Sequence, residues 1–355
     1  MTEQIPLLAV RQLSVQYKRG KRIVKALDDV SFEVLAGETL GLVGESGSGK
    51  STVAKAILGL TQVNSGSVLF AGTDITHLPF KQRRETYREM QIVFQDPYSS
   101  LNPARTIGST LSEPLKAFGE RDSEAVRDRV RDMLERVHLP SGAADRYPWQ
   151  FSGGQRQRIA IARALMLSPR LVILDEAVSS LDLSIQAQVL NLLQELQETS
   201  ALSYLFISHD LGVVRHMCDR VVVLYRGRVM ESGPALSVSG RGSAHPYTYT
   251  LNEAVPVPNP NAQRARRAAV RMLLTPLPGG TTKIRDEQCV FAPRCPWNQP
   301  KCWNERPSLR PAYPNGVVAC HRYPEWRDEI AGPPPLDAHV IPATEHARPE
   351  FPRNK

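Results

Sequence analysis

Short apolar runs bounded by glycine or polar residues dominate the first two-thirds of the chain. Residues 38–43, 171–174 and 203–208 contain such runs, and their lengths are typical of buried strands. Stretches with apolar residues at helical spacing lie between them, at 53–58 and from 182 to 197. Strands that alternate with helices predict an α/β fold with an open sheet.

Other parts of the chain add to this alternation. The basic stretch 79–88 predicts a solvated helix, and the charged helical pattern of 107–139 predicts a helical insertion. Turn residues mark 18–21 and 72–74. Further strands are predicted at 7–17, 26–35, 67–71, 90–94, 221–225 and 229–231.

The stretch 44–52, GESGSGKST, joins a predicted strand to a predicted helix and has the spacing G-x-x-x-x-G-K-[ST] of a phosphate-binding loop. We expect Lys50 to reach the β- and γ-phosphates of a nucleotide, Ser51 to ligate Mg²⁺, and Thr52 to contact an inner phosphate. Three glycines let the backbone N–H groups approach a polyphosphate: Gly44, Gly47 and Gly49.

Acidic residues follow the apolar run 171–174. Asp175 is placed to hold Mg²⁺, and Glu176 beside it can orient or deprotonate an attacking water. His209 follows the predicted strand 203–208 in the same sense, where ligands gather in open α/β sheets. Ser152 is a predicted helix N-cap, and its Ser-Gly-Gly sequence is either a second anion site or a simple cap.

Composition bounds the function without deciding it. The formal net charge of +8 fits nucleic acid, an anionic membrane surface or simply a solvated basic surface. Five cysteines imply no disulfide scaffold. Because the N-terminus has no signal pattern and no apolar run is long enough to span a bilayer, we expect a soluble, cytoplasmic chain.

The C-terminal third has a different character. Prolines at 255–260 predict an extended linker, and the residues beyond Trp326 predict a disordered tail. A basic cluster lies between them and is either solvated or in contact with lipid headgroups: Arg264, Arg266, Arg267 and Arg271.

Four cysteines fall in this poorly apolar region, where we expect a metal to substitute for a hydrophobic core. They are Cys289, Cys295, Cys302 and Cys320. Their ligand count fits zinc or an iron–sulfur cluster, although the spacing is wider than that of common zinc sites. The alternative is four unlinked thiols. Cys218 lies outside this spacing and is predicted to be structural.

Between Leu7 and Gly233 these motifs together resemble the ATP-binding subunit of an ABC transporter. The resemblance implies a P-loop NTPase cassette: a RecA-like core with an antiparallel β subdomain and a helical subdomain. It implies that Gln95 senses Mg²⁺ and couples to a membrane subunit, and that residues 152–155 form the family signature. Ala177-Val178 departs from the Pro-Thr of many relatives, but touches no catalytic atom in this interpretation.

By this resemblance each site residue has a role. Tyr17 stacks on adenine rather than being an ordinary strand-end aromatic, and Asp182 belongs to the D-loop. The implied catalytic residues are Lys50, Gln95, Glu176 and His209. The implied Mg²⁺ ligands are Ser51, Gln95 and Asp175. The implied nucleotide-binding residues are Tyr17, Gly44, Ser46, Gly47, Ser48, Gly49, Lys50, Ser51, Thr52, Ser152, Gly153, Gly154, Gln155 and Asp182.

The family mechanism implies a partner. Two such cassettes pack head to tail, and each signature caps the ATP bound to the other P-loop. Because this chain has one P-loop and one signature, the resemblance implies a second ATPase subunit, either a copy or a paralogue.

Residues 244–248, AHPYT, resemble the start of the C-terminal extension of oligopeptide and dipeptide importer ATPases. This predicts ATP hydrolysis that drives peptide uptake through two transmembrane permease subunits and a solute-binding protein, at the cytoplasmic face of the inner membrane. Nickel, opine or oligosaccharide import is the alternative. The same resemblance favours a [4Fe–4S] cluster over zinc.

Two further classes remain as alternatives, a soluble ABC ATPase acting on nucleic acid or ribosomes and a redox-sensing module. The single cassette and short insertion favour a transporter without a nucleic-acid partner. The predicted domains are an ATP-binding core (1–95 and 161–240), a helical subdomain (96–160), the four-cysteine extension (241–326) and the tail (327–355).

Overall fold

The computed structural model describes residues 5–20, 22–79, 81–96, 100–240, 242–255, 261, 264 and 285–329. The predicted linker after Val255, three of the four arginines of the predicted basic cluster, and the tail from 330 onward lie outside these residues.

Twelve strands and eleven α-helices are assigned in the described residues. The strands are β1 (Leu8–Arg19), β2 (Arg22–Val34), β3 (Thr39–Val43), β4 (Ser65–Phe70), β5 (Thr73–Asp74), β6 (Met90–Val93), β7 (Leu171–Asp175), β8 (Ser203–Ser208), β9 (Arg220–Tyr225), β10 (Arg228–Pro234), β11 (Arg310–Tyr313) and β12 (Gly316–Val318). The helices are α1 (Lys50–Ile57), α2 (Arg84–Glu89), α3 (Ile107–Ala117), α4 (Ser123–Arg136), α5 (Gly153–Leu165), α6 (Leu183–Ser200), α7 (Leu211–Met217), α8 (Ala235–Val238), α9 (Pro246–Ala254), α10 (Pro300–Asn304) and α11 (Glu325–Asp328).

The main sheet has eight strands in the order β11-β12-β10-β9-β3-β8-β7-β6. The strands from β9 through β3, β8 and β7 to β6 run parallel, whereas β10, β12 and β11 pair antiparallel at the other end. The carboxyl ends of β3, β7 and β8 therefore meet at one edge, which is where open α/β sheets bind ligands.

Successive side chains along the central strands point to opposite faces of the sheet and pack into two separate cores. In β7, Leu171 and Ile173 pack with α1 and the antiparallel sheet, whereas Val172 and Leu174 pack with α5 and α6 on the opposite face. The antiparallel sheet, β2-β1-β4-β5, covers α1 on its outer side. Because both faces of the parallel strands are covered, most of their residues are apolar, as their sequence predicts.

Polar side chains set the starts of several helices. Ser152 caps α5 in a capping box with Gln155: Gln155 N donates to Ser152 Oγ at 3.3 Å, and Ser152 N donates to Gln155 Oε1 at 3.0 Å. Asp182 caps α6, where its Oδ1 accepts from Ile185 N at 3.0 Å. The predicted cap at Ser152 is confirmed.

The basic stretch 79–88 was predicted to be a solvated helix, and this is wrong in part. The helix α2 begins only at Arg84, and Arg83 before it is buried. The Arg83 guanidinium donates to Ile57 O at 3.2 Å and to Thr76 O at 3.0 Å, and also to Ile75 O. Arg83 thus satisfies one carbonyl at the end of α1 and two carbonyls that follow β5, which offsets the cost of its burial.

Other boundaries also differ from the predictions. The predicted helical stretch 107–139 is two helices, broken at Gly119, whose φ of 100° helical residues do not adopt. The predicted turn 72–74 contains the two-residue strand β5, which pairs with β4. The tail was predicted from 327, but residues 327 and 328 belong to α11.

The largest difference concerns the region after residue 285, which was expected to lack a hydrophobic core. Its strand β12 pairs with β10, so it extends the main sheet. Phe291, Trp297 and Trp326 are buried in the same core as α5 and α6. These aromatic residues are isolated in the sequence, so no periodic pattern reveals the surface they cover.

Candidate nucleotide site

The phosphate-binding loop lies between the carboxyl end of β3 and the start of α1. Gly47 has a φ of 78° and Gly49 a φ of 111°, conformations that L-residues rarely adopt. At Gly49 a Cβ would also lie 2.8 Å from Ala26 O of β2. Both glycines are therefore required by the path of the backbone, and the first-turn N–H groups of α1 face the loop without intrahelical partners.

Lys50 is held inside this loop. Its side chain is only 4% exposed, and Nζ donates to Gly44 O at 2.8 Å and to Glu45 O at 3.1 Å. The same Nζ lies 3.5 Å from Glu176 Oε1. A buried ammonium group among backbone carbonyls at a helix N-terminus is a suitable partner for a polyphosphate.

Two carboxylates at the end of β7 face the loop. Ser51 Oγ donates to Asp175 Oδ1 at 3.2 Å, which brings the two predicted Mg²⁺ ligands together. Burial raises the pKa of Asp175, an effect that the Ser51 hydrogen bond partly offsets. A divalent cation between these groups would favour the ionised carboxylate.

Glu176 is the meeting point of three predicted catalytic side chains. Its Oε2 accepts from Gln95 Nε2 at 3.2 Å and lies 3.5 Å from His209 Nδ1, while Oε1 faces Lys50. Its backbone has a φ of 49°, and its N–H donates to Ile207 O of β8 at 3.0 Å. This left-handed turn aims the carboxylate at the cleft rather than along the strand.

The loop opens into a cleft of about 670 Å³, within the range of ligand sites. Tyr17 lines it, and the phenol of this half-exposed residue accepts from Thr61 Oγ1 at 3.2 Å. The lining residues are Tyr17, Val24, Lys25, Ala26, Ser46, Gly47, Gly49, Lys50, Ser51, Thr52, Gln95, Glu176 and Arg226. The cleft thus offers a ring for stacking at one side and phosphate ligands at the other.

Sequence reasoning missed four of these lining residues: Val24, Lys25, Ala26 and Arg226. The pairing of β2 with β1 places Val24 opposite Tyr17, and no local signal predicts this register. Arg226 precedes Gly227 in the β9–β10 turn, and Gly227 N donates to Ser48 O at 2.8 Å. The strands on either side, 221–225 and 229–231, were predicted, but the contact of their connection with the phosphate loop was not.

The signature residues lie apart from this cleft. Ser152 and Gln155 are occupied with each other in the capping box, and none of the residues 152–155 lines the cleft. A Cβ on Gly154 would lie 2.3 Å from Ile185 Cγ2, so this glycine permits the close approach of α5 to α6. Asp182 caps α6 and also lies outside the cleft.

Four cysteines line one small cavity with His245 and Phe291. They are Cys289, Cys295, Cys302 and Cys320. Burial raises the thiol pKa of Cys289 to about 11 and that of Cys320 to about 12. No three His, Cys, Asp or Glu side chains in the described part of the chain are arranged to hold a single metal ion. Cys218 is buried elsewhere, against Gly41 and Val214.

The comparisons identify the family from two separate parts of the chain. A family model described as ABC transporter matches residues 27–179, and one described as oligopeptide/dipeptide transporter, C-terminal region, matches residues 230–302. Oligopeptide transport ATP-binding protein OppF of Salmonella typhimurium is 44% identical over 321 residues, covering 88% of this chain and 95% of OppF.

The chain belongs to the ATP-binding subunits of ABC transporters. AppF of Bacillus subtilis, another oligopeptide transport ATP-binding protein, is 46% identical over 313 residues, or 86% of this chain and 92% of AppF. A dimeric ATP-binding cassette solved in a post-hydrolysis state with ADP and Pi has a TM-score of 0.59 and 29% identity. The structural match covers 64% of this chain and 99% of the solved chain.

This ABC subunit is therefore an ATPase whose substrate is ATP with Mg²⁺, and the predicted cassette fold is confirmed. No helix in the ranges described above is long and apolar enough to cross a membrane.

Proposed function

We propose that this ATPase drives the uptake of peptides through partner membrane subunits. The observation that carries the ATPase half is the cleft that brings Tyr17, the phosphate loop, Gln95 and Glu176 together. The peptide half rests on the C-terminal match at residues 230–302 and on the printed names of OppF and AppF.

In this proposal each side chain acts where its geometry allows. Lys50 binds the terminal phosphates, Ser51 and Asp175 hold Mg²⁺, and Glu176 orients and deprotonates the attacking water. Gln95 and His209 hold the Glu176 carboxylate from one side, so they position the base and respond to the γ-phosphate. Tyr17 stacks on adenine at the open side of the cleft.

A second cassette completes the site. Residues 152–155 lie outside this chain's own cleft, and the helix start that they form offers N–H donors to an anion. We propose that they face the ATP of a head-to-tail partner, whereas Asp182 supports that interface through the start of α6. The partner is a second copy or a paralogue.

The remaining assembly follows from the transport role. Two permease subunits form the channel, a solute-binding protein delivers the peptide, and the ATPase lies on the cytoplasmic face of the inner membrane. Nickel, opine or oligosaccharide uptake is the competing assignment.

We propose the same division of the chain as the sequence predicts, with residues 1–95 and 161–240 as the ATP-binding core and residues 96–160 as the helical subdomain. The four-cysteine extension, 241–326, is anchored to the core through β12.

We also propose that the four cysteines hold a [4Fe–4S] cluster. Four thiols line one cavity, which fits the Cys₄ donor set of such clusters. Zinc is the competing occupant, although no three His, Cys, Asp or Glu side chains among the described residues are arranged around a single metal ion. Bound there, the cluster would add thiolate–metal bonds to the packing of the extension.

The test is reconstitution of the chain with its permease subunits, its partner ATPase and the solute-binding protein in proteoliposomes. Peptide-loaded binding protein should stimulate ATP hydrolysis and drive peptide accumulation, whereas Lys50→Ala abolishes both. Stimulation by nickel, an opine or an oligosaccharide with no response to peptides would reassign the solute. Hydrolysis stimulated by nucleic acid or ribosomes instead would overturn the transport role.

A further inference from the structure

The phosphate loop is held from outside by an arginine of the C-terminal extension. Arg294 Nη1 donates to Glu45 Oε2 at 2.8 Å, and Arg294 Nη2 donates to Glu45 Oε1 at 2.9 Å. Glu45 is the second residue of the phosphate loop, and Arg294 directly precedes Cys295. This two-bond geometry uses both ends of the guanidinium and fixes the direction of the carboxylate.

Aromatic residues orient both members of this pair. The Arg294 guanidinium carbon lies 5.6 Å from the ring centre of Tyr225 and 5.7 Å from that of Phe291. Glu45 N donates to the hydroxyl of buried Tyr247 at 2.9 Å. Glu45 is therefore fixed at its backbone and at its side chain by residues outside the loop.

A second contact reaches the rim of the cleft. Asp286 Oδ2 accepts from Lys25 Nζ at 2.5 Å, and Lys25 lines the cleft. Buried Arg228 anchors the same part of the extension by donating to Asp286 O at 3.0 Å and to Gln288 O at 3.3 Å. Residues 285–306, here called the brace, therefore touch the nucleotide site at two points.

The ion pair between Arg294 and Glu45 affects nucleotide binding through the charge of Glu45. Glu45 carries a negative charge in the loop that would receive a polyphosphate, and like charges within one loop repel each other. Arg294 pairs with this charge, and Glu45 is not among the residues that line the cleft. An unpaired Glu45 would weaken nucleotide binding even if the loop kept its conformation.

We propose that Arg294 is a positioning residue for nucleotide binding, which holds and neutralises Glu45 so that the brace sets the affinity of the phosphate loop. This inference rests on the proposed function, because it requires that the loop binds MgATP. It gives the four-cysteine extension a role in the ATPase site through Arg294, whether or not its cysteines hold a metal.

The test measures binding of MgATP and MgADP to the full-length chain by calorimetry. Arg294→Gln should raise both dissociation constants about three- to tenfold, a modest effect because the ion pair is partly exposed. In the assembled transporter KM for ATP should rise similarly while kcat stays within about twofold, since Lys50, Asp175 and Glu176 keep their contacts. Arg294→Lys should give an intermediate dissociation constant.

A second substitution separates positioning from folding. Glu45→Gln introduced with Arg294→Gln removes the unpaired carboxylate, so it should restore most of the lost affinity. If Arg294 served only to fold the extension, this second change would restore nothing. The matched control is Lys301→Gln, which removes an exposed cation from the same brace. Within the described chain the one ion pair of Lys301 is with Glu305, at 3.6 Å.

The outcomes are distinguishable. Unchanged nucleotide affinity in Arg294→Gln, an equal loss in Lys301→Gln, or no recovery with Glu45→Gln would each overturn the brace while leaving the ATPase assignment intact. A wild-type chain that fails to bind MgATP would overturn the proposed function itself.

Discussion

At the scale of single residues, the nucleotide site depends on a few polar groups brought to one carboxyl edge of the main sheet. Glu176 is the residue on which most contacts converge, because Lys50, Gln95 and His209 all approach its carboxylate. The left-handed backbone conformation of Glu176 allows these contacts, because a strand-end residue with an ordinary φ would direct its side chain elsewhere.

Glu176→Gln should bind MgATP and slow its hydrolysis by about 10²- to 10⁴-fold, the range for loss of a general base. The amide keeps the size of the side chain and its hydrogen bond to Gln95, so binding is preserved. Turnover and nucleotide retention in the assembled transporter provide the measurement. Near-normal turnover would remove Glu176 from the role of base.

Lys50 and Ser152 should fail in different ways. Lys50→Ala removes the buried cation of the loop, so this chain should lose most of its MgATP affinity. Ser152→Arg changes an exposed cap outside the cleft, so binding in the isolated chain should stay nearly normal while hydrolysis in the assembled transporter stops. Equal binding defects in the two isolated variants would contradict the head-to-tail arrangement.

At the scale of elements, the order of strands and helices in the cassette could be predicted from sequence, because buried strands and glycine turns leave strong local signals. The phosphate loop, Asp175 and Glu176 follow directly from such signals. Contacts made by pairing across the chain could not be predicted in this way. Lys25 and Val24 reach the cleft only through the register of β2 on β1. Buried Arg83 depends on carbonyl acceptors at Ile57, the last residue of α1, and at Thr76, which follows β5.

The close approach of α5 and α6 depends on Gly154. Gly154→Ala should lower the free energy of unfolding by about 1–3 kcal/mol, because the new Cβ overlaps Ile185 and the packed helices must separate. Thermal unfolding of the full-length chain measures this. Ile185→Ala combined with Gly154→Ala should recover part of the loss, and Ile185→Ala alone is the control. Additive losses in the double variant would show that the two side chains do not compete for space.

At the scale of the whole molecule, the C-terminal extension is part of the ATPase body rather than an appendage. Its strand β12 continues the main sheet, and Trp326 is buried with its Nε1 donating to Ala244 O at 2.9 Å. The sequence could not reveal this, because the buried aromatic residues stand alone and their partners lie far away along the chain. The expectation that this region lacks a hydrophobic core was therefore wrong.

Because the extension is packed against the core, loss of a cysteine should remove the metal centre without unfolding the extension. Cys302→Ser in anaerobically purified protein should remove iron, acid-labile sulfide and the broad visible absorption, while β12 and the aromatic core keep most of the extension resistant to protease. The matched control is Cys218→Ser, a buried cysteine outside the cavity, which should keep the iron.

Two results would contradict the cluster. Stoichiometric zinc without sulfide would make the site a zinc site, and absence of any metal in anaerobic protein would leave four ordinary thiols. Neither result would alter the ATPase assignment, because no cysteine of this group lines the nucleotide cleft.

The pairing of β12 with β10 also has a consequence for synthesis of the protein on the ribosome. The strand β10 ends at Pro234, whereas β12 begins at Gly316, so a nascent chain presents an unpaired sheet edge until nearly all of it has emerged. Unpaired edges recruit other strands and aggregate. Messages cut short before Gly316 should therefore yield insoluble protein even though they encode every residue that lines the nucleotide cleft.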